Sequence, residues 1–587
     1  MTHDTGAGGL LHAMRMRSAK KLLLGLLALG TTTIAFLYWV HCGGNALNSQ
    51  TALLVPSASS NGKINSLHSS QEITCLINNE YSISCRKENS EVYVPFSFLQ
   101  RYFEVYGKIT YQEGQQVFEW QHSYSKVVVP TARYHPRGPF LWFDNYNVAV
   151  RDRVKCVSGI EGVPISTQWD ARGHFYPVQI AQFGLSHFSK NLSQPAPTFL
   201  VLEDGKKAQY GTWVTSSKGK ASYMRVFDKM SQSSVIEFRT SGTAEDQGVA
   251  FSLKKETMNL TLSFDLRVVL NGSISVILAG ESVSKPSLYG VHYLMTETPL
   301  VVDDHDIYYG LGVGHSWIHL TRDLGIDLFK GLNYGQAKSV PRPRNLRIHS
   351  IVLRGHGLLD NLTLSSRDHE AHFFDAAKWL VRHQNSHGGW PITVTRRLSN
   401  GMLELEPGWY SAMAQGQAMS VLTRAYTTTE DPKYLDAALR AIGPFKIRSE
   451  NHGVMATFLG KFVWYEEYPT VPSSFVLNGF IYALFGLYDL KLTCTAGLGA
   501  CQDAAKLFDD GMVSLKRMLP LFDTGSGTVY DLRHFSLGIA PNLARWDYHA
   551  THINQLLFLG TIDDDPIFRA TAERWIRYMK GMKAPHN

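Results

Sequence analysis

The feature that most constrains the fold is a change of hydrophobic period near Ser365. From about residue 71 to 365, short runs rich in Val, Ile, Leu and Phe have the length and composition of β-strands. Beyond that point apolar residues recur at helical spacing, and Asp431-Pro432 and Asp565-Pro566 are typical helix starts. The chain is therefore predicted to be a multidomain α+β protein in which an antiparallel β part precedes a helical part.

The β part is predicted to form antiparallel sheets. Its clearest strand-like runs are Thr198–Leu202, Val249–Leu253, Leu260–Leu270, Ser273–Leu278 and Leu346–Leu353. Asn271-Gly272 separates two of these runs and is the strongest short signal for a hairpin. We expect a β barrel or sandwich over residues 151–365, preceded by a small β-hairpin unit over residues 71–150.

The helical part, residues 366–587, is predicted to be an incomplete α/α barrel, an α/α toroid by analogy of fold. Helices are expected near residues 368–384, 410–428, 432–443, 473–490, 502–519, 549–561 and 566–582, the first capped by Asp368. Ser473 and Ser474 are candidate caps of the fourth helix. Its stretch Phe475–Leu487 is apolar on nearly every side, which predicts a buried helix.

The N-terminus carries a candidate membrane anchor. The apolar run Leu22–Val40 is close to the ~20 residues that cross a bilayer. Basic residues precede the run (Arg15, Arg17, Lys20 and Lys21), which places residues 1–21 in the cytosol and the rest in a lumen. We therefore expect a single-pass type II protein with a flexible stem over residues 41–70, the alternative being a cleavable signal peptide.

Sequons and cysteines fit a lumenal location. The sequons begin at Asn191, Asn259, Asn271 and Asn361. Cys75 with Cys85, and Cys494 with Cys501, are close enough in sequence to pair, and Cys42 is a candidate for a link between two chains. The net charge of +7 is a mild excess that permits an anionic partner. Neither a zinc-ligand pattern nor a dinucleotide-binding fingerprint occurs in the sequence.

The stretch Trp464–Phe480 is the best candidate for chemistry. It places Glu466, Glu467 and Tyr468 in a short loop that Pro469 and Pro472 stiffen, directly before the buried helix. A carboxyl and a phenol held rigidly in this way suit proton transfer to and from a substrate. The competing interpretation is a surface loop with solvated carboxylates.

Other segments combine aromatic, basic and amide side chains. They contain Arg396, Arg397, Trp409, Tyr410, Tyr530, Arg533, Asn542, Arg545, Trp546 and Tyr548 in the helical part, and Tyr146 in the β part. If Arg151, Arg153 and Lys155 lie on one strand they share a face, and three cations in a row suit a repeating polyanion. The alternatives are packed core aromatics and a solvated strand edge.

The chain resembles the D-glucuronyl 5-epimerases of heparan sulfate synthesis. The resemblance runs from about Cys75 to the C-terminus and is most specific in Trp-Tyr-Glu-Glu-Tyr-Pro-Thr, Glu-Pro-Gly-Trp-Tyr-Ser-Ala-Met-Ala-Gln-Gly-Gln and Ala-Pro-Asn-Leu-Ala-Arg-Trp-Asp-Tyr-His. It implies a homodimeric, type II Golgi membrane enzyme that inverts carbon 5 of D-glucuronic acid to L-iduronic acid within N-sulfated heparosan. No nucleotide cofactor or nucleic-acid partner is implied, and other heparan sulfate enzymes are candidate partners.

The resemblance also implies roles for individual residues. Glu467 and Tyr548 are the expected acid/base pair, with Tyr468 and Tyr530 close to the reacting sugar. Arg533 and Arg545 are expected to neutralise the sugar carboxylate, and Arg545 to lower the pKa of Tyr548. The remaining candidate substrate-binding residues are Tyr146, Arg151, Arg153, Lys155, Arg396, Arg397, Trp409, Tyr410, Asn542 and Trp546. A structural calcium ion is expected at Glu203, Ser233, Ser234 and Asp360.

Two other functions compete with epimerisation. A polysaccharide lyase makes the same carbanion and then expels the oxygen on carbon 4. A heparan-binding Golgi protein without catalysis would need only the basic and aromatic residues. A glycosidase is disfavoured because its two carboxyl groups must flank the scissile bond, whereas Glu466 and Glu467 are adjacent.

Overall fold

The computed structural model describes residues 70–585 apart from 78–80, 104, 123–125, 216–220, 242–247, 283–284, 337–339 and 495–498. The predicted cytosolic tail, anchor and stem up to residue 69, with Cys42, lie outside the described residues. Within the described part, none of the helices is both long and apolar enough to span a membrane. The chain divides into two compact units, one ending at Pro95 and the other beginning at Phe96.

The first unit contains a three-stranded antiparallel sheet. Its strands are β1 (Gln71–Ile77), β2 (Tyr81–Glu88) and β3 (Glu91–Tyr93), in the order β1-β2-β3. In this register Ile73 lies opposite Cys85, and a disulfide joins Cys75 to Cys85. This is one of the two pairings that sequence proximity suggested.

The second unit contains the remaining strands. They are β4 (Val105–Gln112), β5 (Gln115–His122), β6 (Val154–Val157), β7 (Pro164–Ser166), β8 (His174–Phe175), β9 (Phe199–Glu203), β10 (Gly211–Thr215), β11 (Ser222–Asp228), β12 (Ser233–Arg239), β13 (Val249–Leu253), β14 (Thr261–Ser282), β15 (Lys285–Leu294), β16 (Leu300–Asp303), β17 (Asp306–Gly310), β18 (Ile318–Asp323), β19 (Arg344–Ser365), β20 (Arg396–Leu398), β21 (Leu403–Leu405), β22 (Met455–Phe458) and β23 (Phe462–Tyr465).

Strands β9 to β19 form one eleven-stranded sheet around a single apolar core. Its central path runs β10-β13-β19-β14-β15-β17-β16, with β9, β12 and β18 paired to the two long strands β14 and β19, and β11 paired to β12. All pairs are antiparallel except β15 with β17. Ile236, Phe264 and Leu353 are among the fully buried core residues. We call residues 199–365 the β domain.

The predicted hairpin at Asn271-Gly272 is wrong. Both flanking runs belong to the continuous strand β14, and the pair forms an irregularity in its register with β19. Asn271 adopts a positive φ of 46°. Opposite it, Gly355 has a φ of 83°, and a Cβ there would lie 2.1 Å from the Asn271 carbonyl oxygen. An Asn-Gly pair, which tolerates left-handed backbone conformations, can therefore form a bulge in a long strand as readily as a hairpin turn.

The helices of the second unit are α1 (Phe96–Phe103), α2 (Pro177–Ser193), α3 (Leu324–Leu332), α4 (His369–Arg382), α5 (Ala412–Thr429), α6 (Pro432–Arg440), α7 (Leu477–Thr493), α8 (Gly499–Met518), α9 (His534–Leu537), α10 (Trp546–Leu559) and α11 (Pro566–Met579). Short 3-10 turns occur at 143–145, 148–150, 399–401, 443–446, 449–451 and 519–522. A second disulfide joins Cys494 to Cys501 between α7 and α8.

The larger helices form two layers. The helices α2, α5, α7 and α10 pack side by side in that order, and each also packs on an outer helix, respectively α4, α6, α8 and α11. Every residue from Pro177 to Lys190, from Ala412 to Ala425 and from Leu477 to Leu490 is buried. We call α2, α5, α7 and α10 the inner helices.

Most helix starts agree with the sequence. Asp368, Asp431 and Asp565 cap α4, α6 and α11, each accepting a hydrogen bond from a backbone N–H of the first turn. The helix predicted from residue 473 begins instead at Leu477, and neither serine caps it. The Ser474 hydroxyl bonds the Thr470 hydroxyl at 2.6 Å.

The helical core reaches further back in sequence than the change of period at Ser365 suggests. Residues from Tyr134 to Phe188, including α2, pack in the same apolar cluster as the C-terminal helices. A fully buried ion pair of Arg424 with Asp489, 2.6 Å long, anchors this segment, because Tyr134 donates a hydrogen bond to Asp489 at 2.9 Å. The helix α2, placed by the sequence in the β part, is thus an inner helix of the helical domain.

Candidate active site

The candidate residues meet at one end of the inner helices. Four segments supply them, each leading into one inner helix. Residues 143–176 precede α2, residues 396–411 precede α5, residues 462–476 precede α7, and residues 530–545 precede α10. Because each segment delivers its side chains beside a helix start, residues hundreds of positions apart in sequence come into contact.

The loop before α7 buries two adjacent carboxyl groups. Glu466 is fully buried, and both its carboxyl oxygens accept from the Phe475 backbone N–H at 3.1 Å. Phe475 has a positive φ of 54°, which turns its N–H into the loop. Burial raises the pKa of Glu466 well above its ordinary value, with smaller opposing effects from backbone hydrogen bonds. Glu466 therefore holds the loop against the start of α7.

Glu467 is the second buried carboxyl of this loop. It is 4% exposed, and its carboxyl oxygens accept from the Tyr530 hydroxyl and the Asn478 side-chain amide, each at 3.4 Å. Burial raises the pKa of Glu467 to about 7, while hydrogen bonds from Tyr468 and Tyr530 oppose the rise. A carboxyl with a pKa near neutrality is present in both protonation states there, as a reversible acid/base requires.

Four tyrosines surround this carboxyl. The Tyr530 and Tyr548 rings meet edge to face with centroids 4.8 Å apart. Glu467 acts electrostatically on Tyr176, Tyr468, Tyr530 and Tyr548, and burial is the largest cause of the raised pKa of each phenol. The structure thus brings Glu467 and Tyr548 into one cluster, with Tyr530 between them.

The expectation that Arg545 lowers the pKa of Tyr548 is confirmed in direction, although other effects outweigh it. The guanidinium lies 5.5 Å from the centre of the Tyr548 ring and does lower its pKa, as does Arg153. Burial and the nearby Glu467 outweigh both cations, so the pKa of Tyr548 is raised. Arg545 also pairs with Asp547 at 2.8 Å, and its side chain is 66% exposed, which screens its charge.

Arg533 and Asn542 converge on a buried carboxylate. Arg533 pairs with Asp531 through two nitrogens, at 3.0 and 2.7 Å, and donates to the Ser399 hydroxyl at 2.9 Å. The Asn542 amide donates to the same Asp531 at 2.8 Å. Arg533 is therefore engaged within the protein and holds the 530–545 segment in shape.

Arg396 has different surroundings. Its guanidinium lies 4.7 Å from the centre of the Trp169 ring and 5.4 Å from that of Tyr468. The Trp409 ring adjoins both of these rings, 6.1 Å from Trp169 and 5.9 Å from Tyr468. Next in the strand, Arg397 faces the other way and pairs with Glu404 at 2.8 Å. We call Trp169, Arg396, Trp409 and Tyr468 the arginine–aromatic cluster.

Several other predicted binding residues have structural partners. Tyr410 accepts a hydrogen bond from the Asn385 amide at 2.7 Å, and the Trp409 indole donates to the Val394 carbonyl at 3.0 Å. Trp546, which is 37% exposed, meets the His549 ring edge to face at 5.2 Å. Of these residues, Trp409 alone is among the rings around Arg396.

The predicted row of cations on one strand is wrong. Strand β6 begins at Val154, so Arg151 and Arg153 precede it. Arg151 donates to Gln182 at 2.9 Å and stacks over Tyr146 at 4.7 Å, whereas Lys155 lies over Tyr334 at 5.3 Å. Arg153 is exposed, and its charge lowers the pKa of both Tyr176 and Tyr548.

The four expected calcium ligands lie together on neighbouring strands of the β domain. The Ser233 hydroxyl donates to Asp360 at 2.9 Å. Glu203 is fully buried, and its Oε2 pairs with Arg225 at 2.8 Å while its Oε1 has no hydrogen-bond partner. Gly205 lies against Ser234 and Asp360, since a Cβ there would be 1.6 Å from the Ser234 carbonyl oxygen and 3.1 Å from Asp360 Oδ1. The orphaned carboxyl oxygen and its oxygen-rich surroundings fit a calcium ion.

Five residues of the site were not predicted. They are Trp169, Tyr176, Asn478, Gly479 and Asp531. Tyr176 directly precedes Pro177, a proline at a helix start that would have indicated α2. Trp169 has a positive φ of 70°, uncommon for a bulky residue and frequent at functional sites, but invisible in sequence.

Family models match both domains of the chain. The D-glucuronyl C5-epimerase C-terminus matches residues 384–577, and the D-glucuronyl C5-epimerase beta-sandwich domain matches residues 232–356. The D-glucuronyl C5-epimerase of Caenorhabditis elegans is 37% identical over 563 residues, which cover 88% of this chain and 90% of that protein.

More distant matches cover parts of the chain. An uncharacterized protein of Methanocaldococcus jannaschii is 32% identical over 178 residues, 30% of this chain and 54% of that protein. Among solved structures, a family 11 carbohydrate-binding module of a Clostridium thermocellum cellulase is 18% identical, covering 29% of this chain and 95% of its own, with a TM-score of 0.19.

These findings fix the class as carbohydrate epimerases, a group of isomerases. Within it, the chain belongs to the D-glucuronyl C5-epimerase family. The resemblance seen in the sequence is confirmed. The sequence predicts a barrel or a sandwich for the β domain, and the sandwich is confirmed. A helical C-terminal region follows the β domain.

The close approach of Gly479 to Glu467 gives a test of the site geometry. A Cβ at Gly479 would lie 2.3 Å from Glu467 Oε2 and 2.5 Å from its Cβ, so Gly479→Ala must displace the carboxyl. We expect epimerase turnover to fall ~100-fold, the scale of a displacement of about 1 Å. Gly499→Ala is the control, because no heavy atom lies within 4 Å of its Cβ position. Turnover in Gly479→Ala equal to that of the control would show that the Glu467 position does not govern the reaction.

Proposed function

We propose that the chain inverts carbon 5 of D-glucuronic acid to give L-iduronic acid within N-sulfated heparosan, by removing a proton from one face and returning one to the other. The observation that carries the proposal is the buried Glu467 carboxyl, with a pKa of about 7, in a cluster with the Tyr548 phenol. Family membership supports the epimerase chemistry.

The chemistry explains why such a site is needed. The hydrogen on carbon 5 is α to a carboxylate, and its removal leaves an enolate-like dianion. Donors and cations must stabilise that charge as it develops. Inversion then requires two groups on opposite faces of the ring, one to accept a proton and one to supply it. Glu467 and Tyr548 fill these roles, and the adjoining Tyr530 and Tyr468 hydroxyls serve as hydrogen-bond donors.

The pKa directions assign the starting state. At neutral pH about half of the Glu467 carboxyl is ionised, whereas the Tyr548 phenol keeps its proton because its pKa is raised. A reaction that starts with carboxylate and phenol can proceed directly, since Glu467 accepts the carbon 5 proton and Tyr548 donates to the opposite face. The protons on the two groups must then be redistributed before the next cycle in the same direction.

The two adjacent glutamates allow a matched test. We expect Glu467→Gln to slow deuterium incorporation at carbon 5 from deuterated water by ~100-fold or more, the usual contribution of a general base. Glu466→Gln is the control, since burial already favours the uncharged form of Glu466. The wild-type rate should rise with pH through about 7 and lose that limb in Glu467→Gln. Undiminished exchange in Glu467→Gln would remove it from the mechanism, and chain cleavage with an unsaturated uronate would indicate a lyase.

The same pKa shift has a consequence for stability. Raising the pKa of Glu467 from 4.5 to about 7 means that the folded state holds its proton more tightly than the unfolded state. The resulting stability is present below pH 4.5 and is lost as the pH rises to about 7, by ~3 kcal/mol at most. Glu467→Gln should therefore gain stability relative to wild type between about pH 5 and pH 8 in urea unfolding.

We infer that the helical domain is an incomplete α/α barrel. The two-layer pairing of four inner with four outer helices supports this architecture, as does the burial of α2, α5 and α7 on all sides over most of their length. In such a barrel the segments that lead into the inner helices surround an opening at one end. A long polymer reaches the Glu467 cluster through that opening.

We propose a structural calcium ion held by Glu203, Asp360, Ser233 and Ser234. The support is the orphaned Glu203 Oε1, together with the Asp360 carboxylate, which accepts from the Ser233 hydroxyl at 2.9 Å. Within the described residues no three acidic, His or Cys side chains converge, so hydroxyl or carbonyl oxygens must complete the set. Calcium chloride should raise the melting temperature of the wild type and leave that of Asp360→Ala unchanged. An equal rise in both would refute the site.

We further propose a type II Golgi membrane protein that acts as a homodimer on heparosan chains. The support is the apolar run Leu22–Val40 behind a basic flank, the four sequons and the family resemblance. In intact microsomes the part of the chain after the anchor should be protected from added protease and carry endoglycosidase-sensitive glycans at one or more of the four sequons. Digestion without detergent would exclude the orientation.

A further inference from the structure

We infer that Arg396, rather than Arg533 or Arg545, is the cation that binds the carboxylate of the reacting uronic acid. The inference rests on the proposed function, because it assigns a role within that reaction. Of the three arginines, Arg533 is paired with the buried Asp531 and Arg545 with Asp547. The Arg396 guanidinium is not ion-paired with any carboxylate in the described part of the chain, and its buried Nε lacks a hydrogen-bond partner there.

The position of Arg396 is set by aromatic rings rather than by an acid. Its guanidinium lies over Trp169 and Tyr468, and cation–π contact holds a weakly hydrated guanidinium without consuming its hydrogen-bond donors. An orphaned buried N–H is costly, so a partner from outside the chain fits the geometry. A planar guanidinium matches the two oxygens of a carboxylate.

Arg396 also lies close enough to the reacting groups. Its charge lowers the pKa of Glu467, Tyr468 and Tyr176, so all three are within electrostatic reach. In a uronic acid the carboxylate is bonded directly to carbon 5. A cation that neutralises it beside Glu467 therefore stabilises the dianion where its charge develops.

The strained Trp169 supports a functional use of this cluster. Its φ of 70° places the ring against Arg396, Tyr176, Trp409 and Tyr468 at a backbone cost. Non-glycine residues in this region of backbone conformation are strained, and such residues cluster at ligand sites. The Trp169 ring, which holds the Arg396 guanidinium in place, would thus also orient that guanidinium toward the sugar.

Binding affinity separates this inference from its alternatives. The probes are oligosaccharides of N-sulfated heparosan and the same oligosaccharides with their carboxyl groups reduced to alcohols. We expect wild type to bind the carboxylate form ~10- to 100-fold more tightly, the range of one charge-assisted contact, and Arg396→Ala to lose that preference. Arg569→Ala is the matched control, since it removes the same charge from an exposed side chain of α11 that pairs with Glu573. Arg396→Gln repeats the measurement if the alanine variant is unstable.

The outcomes are distinct. A carboxylate preference retained in Arg396→Ala and Arg396→Gln overturns the inference. Loss of preference for N-sulfo over N-acetyl oligosaccharides, with the carboxylate preference intact, would assign Arg396 to the sulfate and also overturn it. Absence of carbon 5 exchange by the wild type would refute the proposed function, whereas exchange by wild type with an unchanged preference in the variants would refute only the role of Arg396.

Discussion

The site depends on the burial of one carboxyl group, that of Glu467. Removal from water raises its pKa to about 7, and without that shift the group would be a weak base with a permanent charge at neutral pH. The carboxyl is enclosed by the start of α7, where Asn478 donates its amide and Gly479 has no side chain, and by the Tyr530 hydroxyl from a distant segment. The packing of α7 against its neighbours is therefore needed for the raised pKa of Glu467 as well as for the fold.

The topology explains how the other residues reach that carboxyl. Each inner helix is preceded by an irregular or hairpin segment, and the four segments meet at one end of the domain. The packed helices fix where the segments stop, while the segments, together with the first turns of α7 and α10, carry the candidate side chains. Three arginines differ in their partners. Arg533 pairs with Asp531 in its own segment, and Arg424 pairs with Asp489 in the inner layer. Arg396 pairs with no carboxylate in the described part of the chain, and its Nε has no hydrogen-bond partner there.

Local sequence patterns predicted those features that depend on neighbouring residues alone. The change of period separated strands from helices, the Asp caps located helix starts, and the composition of Trp464–Phe480 marked Glu467 as a candidate acid/base. The same patterns failed where the partner was distant. Asn271-Gly272 became a bulge because β19 continues opposite it, and Arg151 and Arg153 fell outside a strand that starts at Val154. The contacts of Trp169 and Gly479 exist only in three dimensions, so no spacing could have indicated them.

The adjacent glutamates show how one loop separates structure from chemistry. Both are buried, yet Glu466 receives the Phe475 N–H on both oxygens, whereas Glu467 faces phenols and the charge of Arg396. Two ionised carboxylates side by side would repel each other, and burial raises the pKa of Glu466 well above its ordinary value, which opposes that arrangement. If Glu466 were ionised, its negative charge would raise the pKa of Glu467 further. The same charge would weaken the binding of an anionic substrate. One loop thus carries a carboxyl with a structural role, Glu466, beside a carboxyl whose pKa lies near neutrality, Glu467.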